Sequence, residues 1–476
     1  MSSTLEPSRN SCSRDLREWL RHLSETDHLA MAKPGFGLTH ELAAVAQRLE
    51  RDRVVLFPQP GGHLIPVVAN LLTSRRWIGD CLGVREDQVI HRYQNAVREP
   101  LPWVEVSEAP VQTVVHQNVD INAQLPVPTH NELDSGPYIA AGLMISRNPK
   151  NGVQNVSIHR CQISGSNRIG VLLLPRHTWT YANMAAEMGE ALEVAIVIGN
   201  DPASLLASQA VVPLDFDEME IAGALHGRPV EMVKCRTNQV RVPARAEIVL
   251  EGRVLPDIAE PEGPFGEFPQ YYGRRADRHV IEVDAITHRQ HPIFHTIIGG
   301  GMEHLLLGGL PREATLLETL QRNDPSVLDL HLSRGGICRY HLVVKIAKKQ
   351  EGTPKNIMMG AFSGHYDVKQ VIVVDEDVNI HDPEQVEWAV ATRFQADRDL
   401  LVVSNSQGSK LDPTTTEDGV GAKMGLDATI PLEADDFTFK VIQVPGADGI
   451  DLEQALDSEV VVSDILGEEE IGGEYE

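Results

Sequence analysis

Apolar residues follow two different periods along the first quarter of the chain. One helix face is marked by apolar residues three and four positions apart: Leu16, Trp19, Leu20 and Leu23. A second helix is predicted after Thr39, whose hydroxyl is expected to cap the free N–H groups of the first turn. The β-branched run at 54–57 predicts a short strand. Residues 1–120 are therefore predicted to form a small α/β domain.

The middle of the chain is rich in β-branched and apolar runs. Four of these runs predict strands, at 169–174, 193–199, 230–235 and 246–252. Short helical pieces are predicted between the second and the third of these strands. This pattern is typical of a β-barrel or a sandwich with helical insertions.

The last third of the chain alternates between strands and helices. Buried strands are predicted at 341–346, 371–378 and 400–404. Between the last two, Asp382 and Pro383 form a helix start, because an acid caps the first turn and proline suits its first position. A strand, a helix and a strand in this order predict a parallel βαβ unit.

Acidic residues outnumber basic ones and give a formal net charge of −26. Half of this charge lies at one end, because residues 431–476 contain fourteen Asp or Glu, one Lys and no Arg. Like charges repel, so the balance argues against nucleic acid or an anionic membrane as the main partner. The acidic end is interpreted as a solvated surface.

The cysteines and the N-terminus indicate a reducing environment. The five cysteines are widely spaced, and no C-x-x-C motif occurs: Cys12, Cys81, Cys161, Cys235 and Cys338. A disulfide framework and a thiolate zinc site are therefore not expected. The N-terminus has no apolar segment typical of a secretory signal, and no apolar run reaches the ~18 residues of a membrane span. We expect a cytoplasmic protein.

Two carboxylates in the segment PEGPFGE are the first candidates for chemistry. Glu262 and Glu267 lie five residues apart around a Gly-Pro pair and a further glycine. On an ideal strand they would point to opposite faces, but glycine and proline favour a bulge or bend that brings both acids to one site. Two close carboxylates push their pKa values apart and provide a proton donor and a charged partner. The alternative, which composition alone favours, is an ordinary acidic turn.

Arg160 is the second candidate, because it lies in the strand-like run QNVSIHRCQI. An isolated buried guanidinium is costly, so Arg160 needs a carboxylate partner from the substrate or from the protein. A structural ion pair is the alternative interpretation.

Asn155, His177 and Glu218 are candidates for a metal site. Two oxygen ligands and one nitrogen suit Mn²⁺ or Mg²⁺ better than a thiophilic metal, and they leave open positions for a phosphate. Taken one by one, however, a lone histidine is usually structural and a lone acid is usually solvated. Their spacing does not require them to converge.

Five motifs together resemble the UbiD family of decarboxylases. They are NVSIHR at 155–160, LLPRH ending at 177, EIAGALHGRPVEMVKC at 220–235, VPARAEIVLEG at 242–252 and PEGPFGE at 261–267. The resemblance runs over nearly the whole chain. It implies an α/β fold with an N-terminal α/β domain (1–120), a central split β-barrel like that of flavin reductases (121–320), and a C-terminal α/β domain with a dimerising helix and an acidic tail (321–476).

The resemblance also implies a cofactor site for prenylated FMN. Asn155, His177 and Glu218 would hold Mn²⁺ or Mg²⁺ against the flavin phosphate. A K⁺ site would use the backbone carbonyls of Ala207 and Ser208, with Glu218 bridging the two cations. The remaining cofactor contacts that the resemblance implies are Lys369 at the phosphate, with Ile158 and Arg176 near the flavin ring.

The implied reaction is the reversible, non-oxidative decarboxylation of an α,β-unsaturated or aromatic carboxylic acid. Arg160 would bind the substrate carboxylate, Glu267 would supply the proton that replaces CO₂, and Glu262 would orient Arg160. A flavin prenyltransferase would supply the cofactor, and the enzyme would act as a homodimer. A flavin reductase and a non-catalytic carrier of prenylated flavin are the alternative functions.

Overall fold

The N-terminal part of the computed structural model combines short helices with a small sheet. The structure describes residues 12–435 and 437–456. The elements up to residue 124 are α1 (Leu16–Glu25), β1 (Leu29–Met31), α2 (Glu41–Leu49), β2 (Val54–Phe57), β3 (Val67–Ala69), α3 (Arg75–Leu82), α4 (Val89–Arg98), β4 (Val104–Val106), β5 (Val114–His116) and α5 (Ile121–Gln124). The helix predicted from the first apolar stripe is confirmed, because all four of its apolar residues are buried in α1.

The predicted cap of the second helix is wrong. The residue that precedes α2 is His40, and no side chain caps the helix there. Thr39 instead forms an isolated parallel bridge with Thr129, so its backbone belongs to a pairing contact one residue before the helix begins. The predicted strand at 54–57 is confirmed as β2.

The middle of the chain supplies most of the strands. Its elements are β6 (Tyr138–Ile139), β7 (Leu143–Arg147), β8 (Gln154–Ile158), β9 (Cys161–Ile163), β10 (Arg168–Val171), α6 (His177–Glu187), β11 (Leu192–Ile198), α7 (Pro202–Ala207), α8 (Glu218–His226), β12 (Glu231–Lys234), β13 (Arg241–Pro243), β14 (Ile248–Glu262), β15 (Phe265–Gly266), β16 (Tyr272–Gly273), β17 (Ala276–His288), β18 (Phe294–His295) and α9 (Met302–Asn323). All four predicted strands form with shifted ends, and α7 and α8 are the predicted helical pieces.

A nine-stranded sheet dominates this region, and it must curl. Eight strands follow the order β6-β9-β10-β17-β14-β11-β7-β8, and β5 pairs with β17. In a flat sheet, β9 and β8 would be six strand spacings apart, or about 29 Å. Only His159 and Arg160 join these two strands along the chain, a link that reaches at most ~11 Å. The sheet therefore bends into a half-barrel and brings its two ends together at this link.

The first sheet contains strands from distant parts of the chain. It has the order β1-β2-β3-β18, so its last strand comes from more than 200 residues further along the chain. The predicted domain boundaries stay a prediction, while the mixed α/β architecture with a curled central sheet is established.

The C-terminal sheet corrects one predicted connection. Its elements are β19 (Val327–Leu332), β20 (His341–Ile346), α10 (Thr353–Gly364), β21 (Gln370–Asp375), α11 (Pro383–Arg393), β22 (Leu400–Gln407) and β23 (Val420–Ala428), and its strand order is β19-β20-β21-β23-β22. Helix α11 begins as predicted, because the Asp382 side chain accepts from the Glu384 N–H. Strand β22, however, is not the parallel neighbour of β21.

The reason is the late strand β23, which lies between β21 and β22. It is parallel to β21 and antiparallel to β22. Its sequence, VGAKMGLDA, contains two glycines and two charged residues and carries a weak strand signal. The parallel βαβ unit of this sheet is instead β20, α10 and β21, whose strands are direct parallel neighbours.

The described residues up to Thr429 form one compact unit, and those after it form a second. The second unit contains the short helix α12 (Leu452–Ala455), capped by Asp451. Residues 1–11, Asp436 and 457–476, which include much of the predicted acidic tail, lie outside the described residues. In the described part of the chain, no helix combines the length and the hydrophobicity of a bilayer span.

Candidate active site

Arg160 lies at the link that closes the half-barrel. The last residue of β8 is Ile158 and the first residue of β9 is Cys161, so Arg160 sits between two strands rather than inside one. Its side chain is only 8% exposed. The curl of the sheet therefore fixes the backbone of this arginine and directs its guanidinium into a protected region.

The two glutamates of PEGPFGE reach the same guanidinium. Glu262 is the last residue of β14, and Gly263 turns the chain with a φ of +89°, a conformation that favours glycine. Arg160 Nη2 donates to Glu262 Oε2 over 2.8 Å, and Arg160 Nη1 donates to Glu267 Oε1. A Cβ atom on Gly273 would lie 2.6 Å from Arg160 Nη1, so only glycine allows this approach.

Burial and charge set the protonation of the trio Arg160, Glu262 and Glu267. Burial alone would lower the pKa of Arg160, but the adjacent Glu267 and Glu262 carboxylates outweigh it and raise that pKa. Burial raises the pKa of Glu267, with a further increase from Glu262, although Arg160 opposes the shift. Glu267 therefore keeps its proton to a higher pH than an ordinary glutamate does. The Arg160 Nε atom is buried and has no hydrogen-bond partner among the described residues, which leaves a donor for a carboxylate ligand.

Tyr138 and Gln162 lie beside the trio, and no sequence pattern predicted them. The Tyr138 hydroxyl donates to Glu262 Oε1 over 3.1 Å, and Gln162 Oε1 accepts from the Gly263 N–H over 3.0 Å. Both side chains are buried. Neither belongs to a recognisable motif, and only the pairing of β6 with β9 brings them to the site. They hold Glu262 and the bend after it in place.

The predicted ligands lie on three different elements: Asn155 contacts His177, and Glu218 reaches the backbone of the residue after Asn155. Asn155 lies in β8, His177 is the first residue of α6 and Glu218 is the first residue of α8. His177 Nδ1 lies 3.0 Å from Asn155 Oδ1, and Glu218 Oε2 accepts from the Val156 N–H over 2.6 Å. Two ligand atoms that bind one cation at ~2.1 Å in perpendicular directions lie ~3.0 Å apart. The spacing of the Asn155 and His177 atoms fits that requirement.

Glu218 is a buried carboxylate without a counter-ion. It is 2% exposed, and burial raises its pKa well above 4.5 despite the hydrogen bond from Val156. No Lys, Arg or His of the described residues forms an ion pair with it. A search of the same residues finds no cluster of three His, Cys, Asp or Glu side chains suited to a metal, so any cation here would use the amide oxygen of Asn155. A divalent cation would supply the positively charged partner that Glu218 lacks among the described residues.

The other predicted cofactor residues lie at element ends. Ala207 and Ser208 are at the C-terminal end of α7, where helix carbonyls lack intrahelical partners. Arg176 precedes α6 and donates to the Tyr366 hydroxyl over 3.0 Å, and Ile158 ends β8. Lys369, just before β21, binds Asp412 Oδ2 and Thr414 Oγ1, each at 2.7 Å. The predicted phosphate contact of Lys369 stays a prediction.

A cationic cluster adjoins the trio and was not anticipated from the sequence. Phe268, which follows Glu267, has the Arg339 guanidinium 5.0 Å from its ring centroid and the His304 ring at 6.3 Å. Arg312 donates to His365 Nε2 over 3.0 Å and lies 3.9 Å from Asp367. The pKa of Arg339 is lowered to about 9 by burial and by Arg312.

Positive charge in this cluster exceeds negative charge. Burial and the neighbouring arginines also lower the pKa of His304 to about 3 and that of His365 to about 2, so both rings are neutral. Among the described residues, Asp367 is the only acid that forms an ion pair with Arg312, and none pairs with Arg339. The excess positive charge lies next to Phe268. Leu305, Leu306 and Leu307, which follow the Gly299–Gly301 run, are buried in the main hydrophobic core.

Solved structures similar to this chain include UbiD-class enzymes. The UbiD-class enzyme HmfF from Pelotomaculum thermopropionicum, solved with FMN, is 47% identical, with a TM-score of 0.91 over 93% of this chain and 100% of that chain. An evolved dimeric form of HmfF with prFMN is 45% identical, with a TM-score of 0.87 over the same shares. Anhydromevalonate phosphate decarboxylase of Methanothermobacter thermautotrophicus is 40% identical over 82% of this chain and 92% of its own length.

Profiles of one family cover nearly the whole described chain. They are the N-terminal, Rift-related and C-terminal domains of 3-octaprenyl-4-hydroxybenzoate carboxy-lyase, matched at residues 20–97, 103–302 and 305–428. The chain therefore belongs to the UbiD family of carboxy-lyases. The resemblance drawn from the five motifs is confirmed, and the protein is a decarboxylase of this family.

Proposed function

We propose that this protein removes CO₂ reversibly from an α,β-unsaturated or aromatic carboxylic acid with the help of prenylated FMN. The observation that carries the proposal is the buried trio in which one guanidinium holds two carboxylates, one of them with a raised pKa. The structural relatives bound to FMN and prFMN support the cofactor.

The cofactor site fits the donor set that this chain provides. Asn155, His177 and Glu218 would hold Mn²⁺ or Mg²⁺ against the cofactor phosphate, since the counter-ion that Glu218 lacks is what such a cation supplies. Carbonyl groups of Ala207 and Ser208 would bind K⁺, and Arg176, Ile158 and Lys369 would contact the cofactor. When bound, prenylated FMN supplies the electron sink that makes loss of CO₂ accessible.

The protein's own groups bind, orient and protonate. Arg160 would bind the substrate carboxylate, and its unpartnered Nε is the available donor. Glu262, fixed by Tyr138, would orient the guanidinium. Glu267 would deliver the proton to the carbon that CO₂ leaves, which requires the protonated form that burial favours.

The cationic cluster favours a substrate with a second anionic group. Arg339 is buried over the ring of Phe268, which follows the proton donor. Arg312, whose side chain is 19% exposed, lies 3.9 Å from Asp367, its one acidic partner among the described residues. A buried charge without a partner is costly, so an anion on the substrate would be bound there with a large gain. A 40% identical relative acts, by its name, on a phosphate-bearing acid.

The decisive experiment compares the cofactor-loaded wild type with Glu267→Gln. The variant keeps the buried charges balanced, because Arg160 still pairs with Glu262. We expect CO₂ release to fall by ~10²- to 10⁴-fold, the usual range for removal of a general acid, with cofactor content unchanged. Glu260→Gln, two residues before Glu262 in the same strand, is the matched control and keeps full activity. Full activity of Glu267→Gln would refute the role of proton donor.

The same assay tests the second anionic group when it uses pairs of acids that differ only in that group. Arg312→Gln is expected to raise KM at least tenfold for the dianionic acid and to leave the mono-acid unaffected. Arg322→Gln, near the end of the same helix, is the control. Equal effects on both acids would exclude this substrate class while leaving the decarboxylase function intact.

Two alternatives predict different results. A flavin reductase would oxidise NAD(P)H and would not depend on the trio. A non-catalytic carrier would bind prenylated flavin and tolerate loss of Glu267. The homodimer, the supply of cofactor by a flavin prenyltransferase and the cytoplasmic location are part of the proposal, and the dimeric form of HmfF is consistent with the first of these.

A further inference from the structure

Two cysteines far from the trio in sequence lie in contact inside the N-terminal region. Cys12 Sγ and Cys81 Sγ are 3.6 Å apart, although 69 positions separate the residues. Cys12 precedes α1, and Cys81 lies in the last turn of α3. Both side chains are buried. A shift of ~1.6 Å would bring the sulfur atoms to the length of a disulfide bond.

A histidine–aspartate pair lies beside these thiols. His226, the last residue of α8, places Nε2 3.0 Å from Oδ1 of Asp201, which caps α7. Burial alone would lower the pKa of His226, but the Asp201 carboxylate outweighs it and raises that pKa to about 10. An imidazolium thus faces Cys12 at neutral pH.

The two thiols are chemically unequal. The hydrogen bond with Cys81 and the charge of His226 lower the pKa of Cys12, against the effect of burial, to about 6. The pKa of Cys81 is raised well above 9.0 by its bond with Cys12 and by burial. A thiolate beside a neutral thiol is the arrangement of an attacking and a resolving cysteine.

A cavity borders the histidine–aspartate pair beside the two thiols. It has a volume of about 210 Å³, and Asp201, His226 and Asn200 are among its lining residues. His226 Nδ1 and Asn200 Oδ1 are buried, and neither has a hydrogen-bond partner among the described residues. Both residues are more than nine-tenths buried. Polar groups without partners offer hydrogen bonds to a small polar molecule that enters the cavity.

We infer that Cys12 and Cys81 form a peroxide-sensitive dithiol that closes to a reversible disulfide. The Cys12 thiolate attacks one oxygen of hydrogen peroxide and becomes a sulfenic acid, while the leaving hydroxide takes a proton from His226 and departs as water. The Cys81 thiol then attacks the Cys12 sulfur, and the sulfenic hydroxyl leaves as a second water. One peroxide is reduced and two thiols are oxidised, and a dithiol reductant reverses the change by exchange. This site is independent of the proposed decarboxylation.

Peptide mapping of the full-length wild-type protein tests the inference. The reduced protein is exposed to a few equivalents of hydrogen peroxide, denatured, alkylated and digested. We expect a cross-linked peptide joining Cys12 to Cys81, a loss of two of the five thiols, and complete recovery with dithiothreitol. No such cross-link under these conditions, or a cross-link between other cysteines, would overturn the inference.

Variants separate the two thiols and the histidine. Cys12→Ser and Cys81→Ser are expected to form no intramolecular disulfide, whereas Cys235→Ser, a buried cysteine without a sulfur partner, loses two thiols like the wild type. His226→Asn is expected to slow the reaction of Cys12 with peroxide at least tenfold. An unchanged rate would remove His226 from the mechanism. Should a variant fail to fold, alkylation of the native wild type decides, because Cys12 must then react before Cys161, Cys235 and Cys338.

Discussion

The trio and the predicted cation site differ in how their buried charges are balanced. In the trio, one guanidinium contacts two carboxylates, so the protein itself supplies both signs of charge. At the predicted cation site, Glu218 is also buried, but its hydrogen bond comes from the Val156 N–H, and no Lys, Arg or His of the described residues pairs with it. The first cluster contains both signs of charge without a ligand, and the second does not.

This difference indicates which parts of the site are built by folding alone. In a buried ion pair with several hydrogen bonds, the two groups stabilise each other's charge. A lone buried carboxylate is neutralised either by a proton or by a bound cation. The trio is therefore expected to keep its arrangement in the cofactor-free protein. The cation site is expected to change its protonation and order when metal binds.

The largest effect is expected from Glu218→Gln. Loss of the carboxylate should remove bound manganese, measured by elemental analysis, and lower CO₂ release by at least ~10³-fold because the cofactor phosphate loses its anchor. The metal-free variant should nevertheless melt at the same temperature as the metal-free wild type or higher, because burial raises the pKa of Glu218 and this carboxyl group costs stability at neutral pH. Glu220→Gln, in the same helix, is the control. Retention of stoichiometric manganese by Glu218→Gln would break the comparison between the two sites.

A moderate effect is expected from pH, through Glu267. Its pKa in the folded protein is raised, so the folded state binds this proton more tightly than the unfolded chain does. That contribution to stability is present at low pH and is lost as the pH rises above 4.5 and through the folded pKa. The proton-donating form disappears over the same interval, so kcat/KM should fall up to tenfold per unit on the alkaline side. A Glu267→Gln profile without this decline, beside an unchanged Glu260→Gln profile, would assign the limb to Glu267, and a flat wild-type profile from pH 5 to 9 would contradict it.

The smallest effect is expected from Tyr138→Phe. The change removes one hydrogen bond to Glu262 Oε1 and leaves the ring in place, so the free energy of unfolding should fall by about 1 kcal/mol. As a positioning residue, Tyr138 should affect kcat about tenfold with little change in KM. Tyr272→Phe, whose hydroxyl bonds only to the backbone of a neighbouring loop, is the matched control. Equal kinetics of Tyr138→Phe and the wild type would show that Glu262 needs no such support.

Local patterns were sufficient for many elements of the fold. The predicted strand at 341–346 coincides with β20, and Asp382 caps α11, because both depend on residues that are adjacent in sequence. The strand order of the last sheet could not be obtained in this way. Strand β23 has little strand signal of its own. It lies in the sheet because it pairs with β21 on one side and with β22 on the other.

The residues of the site also differ in whether local sequence or long-range packing places them. The bend between Glu262 and Glu267 follows from glycine and proline, so its two acids could be found from sequence spacing. Tyr138 and the arginines beside Phe268 have no such pattern, and they reach the site through strand pairing and helix packing. A shared cation site of Asn155, His177 and Glu218 is predicted by the family resemblance, since their spacing alone left it open.

Arg160, in the two-residue link between β8 and β9, meets its partners only when distant strands of the nine-stranded sheet have paired. Its glutamate partners are 102 and 107 positions away, and nothing local holds them near it in an open chain. They meet Arg160 through the successive pairing of β9 with β10, β10 with β17 and β17 with β14. Recovery of enzyme turnover after denaturant is removed should therefore lag behind recovery of helical signal, and an insertion at this link should abolish turnover even where most of the sheet still forms.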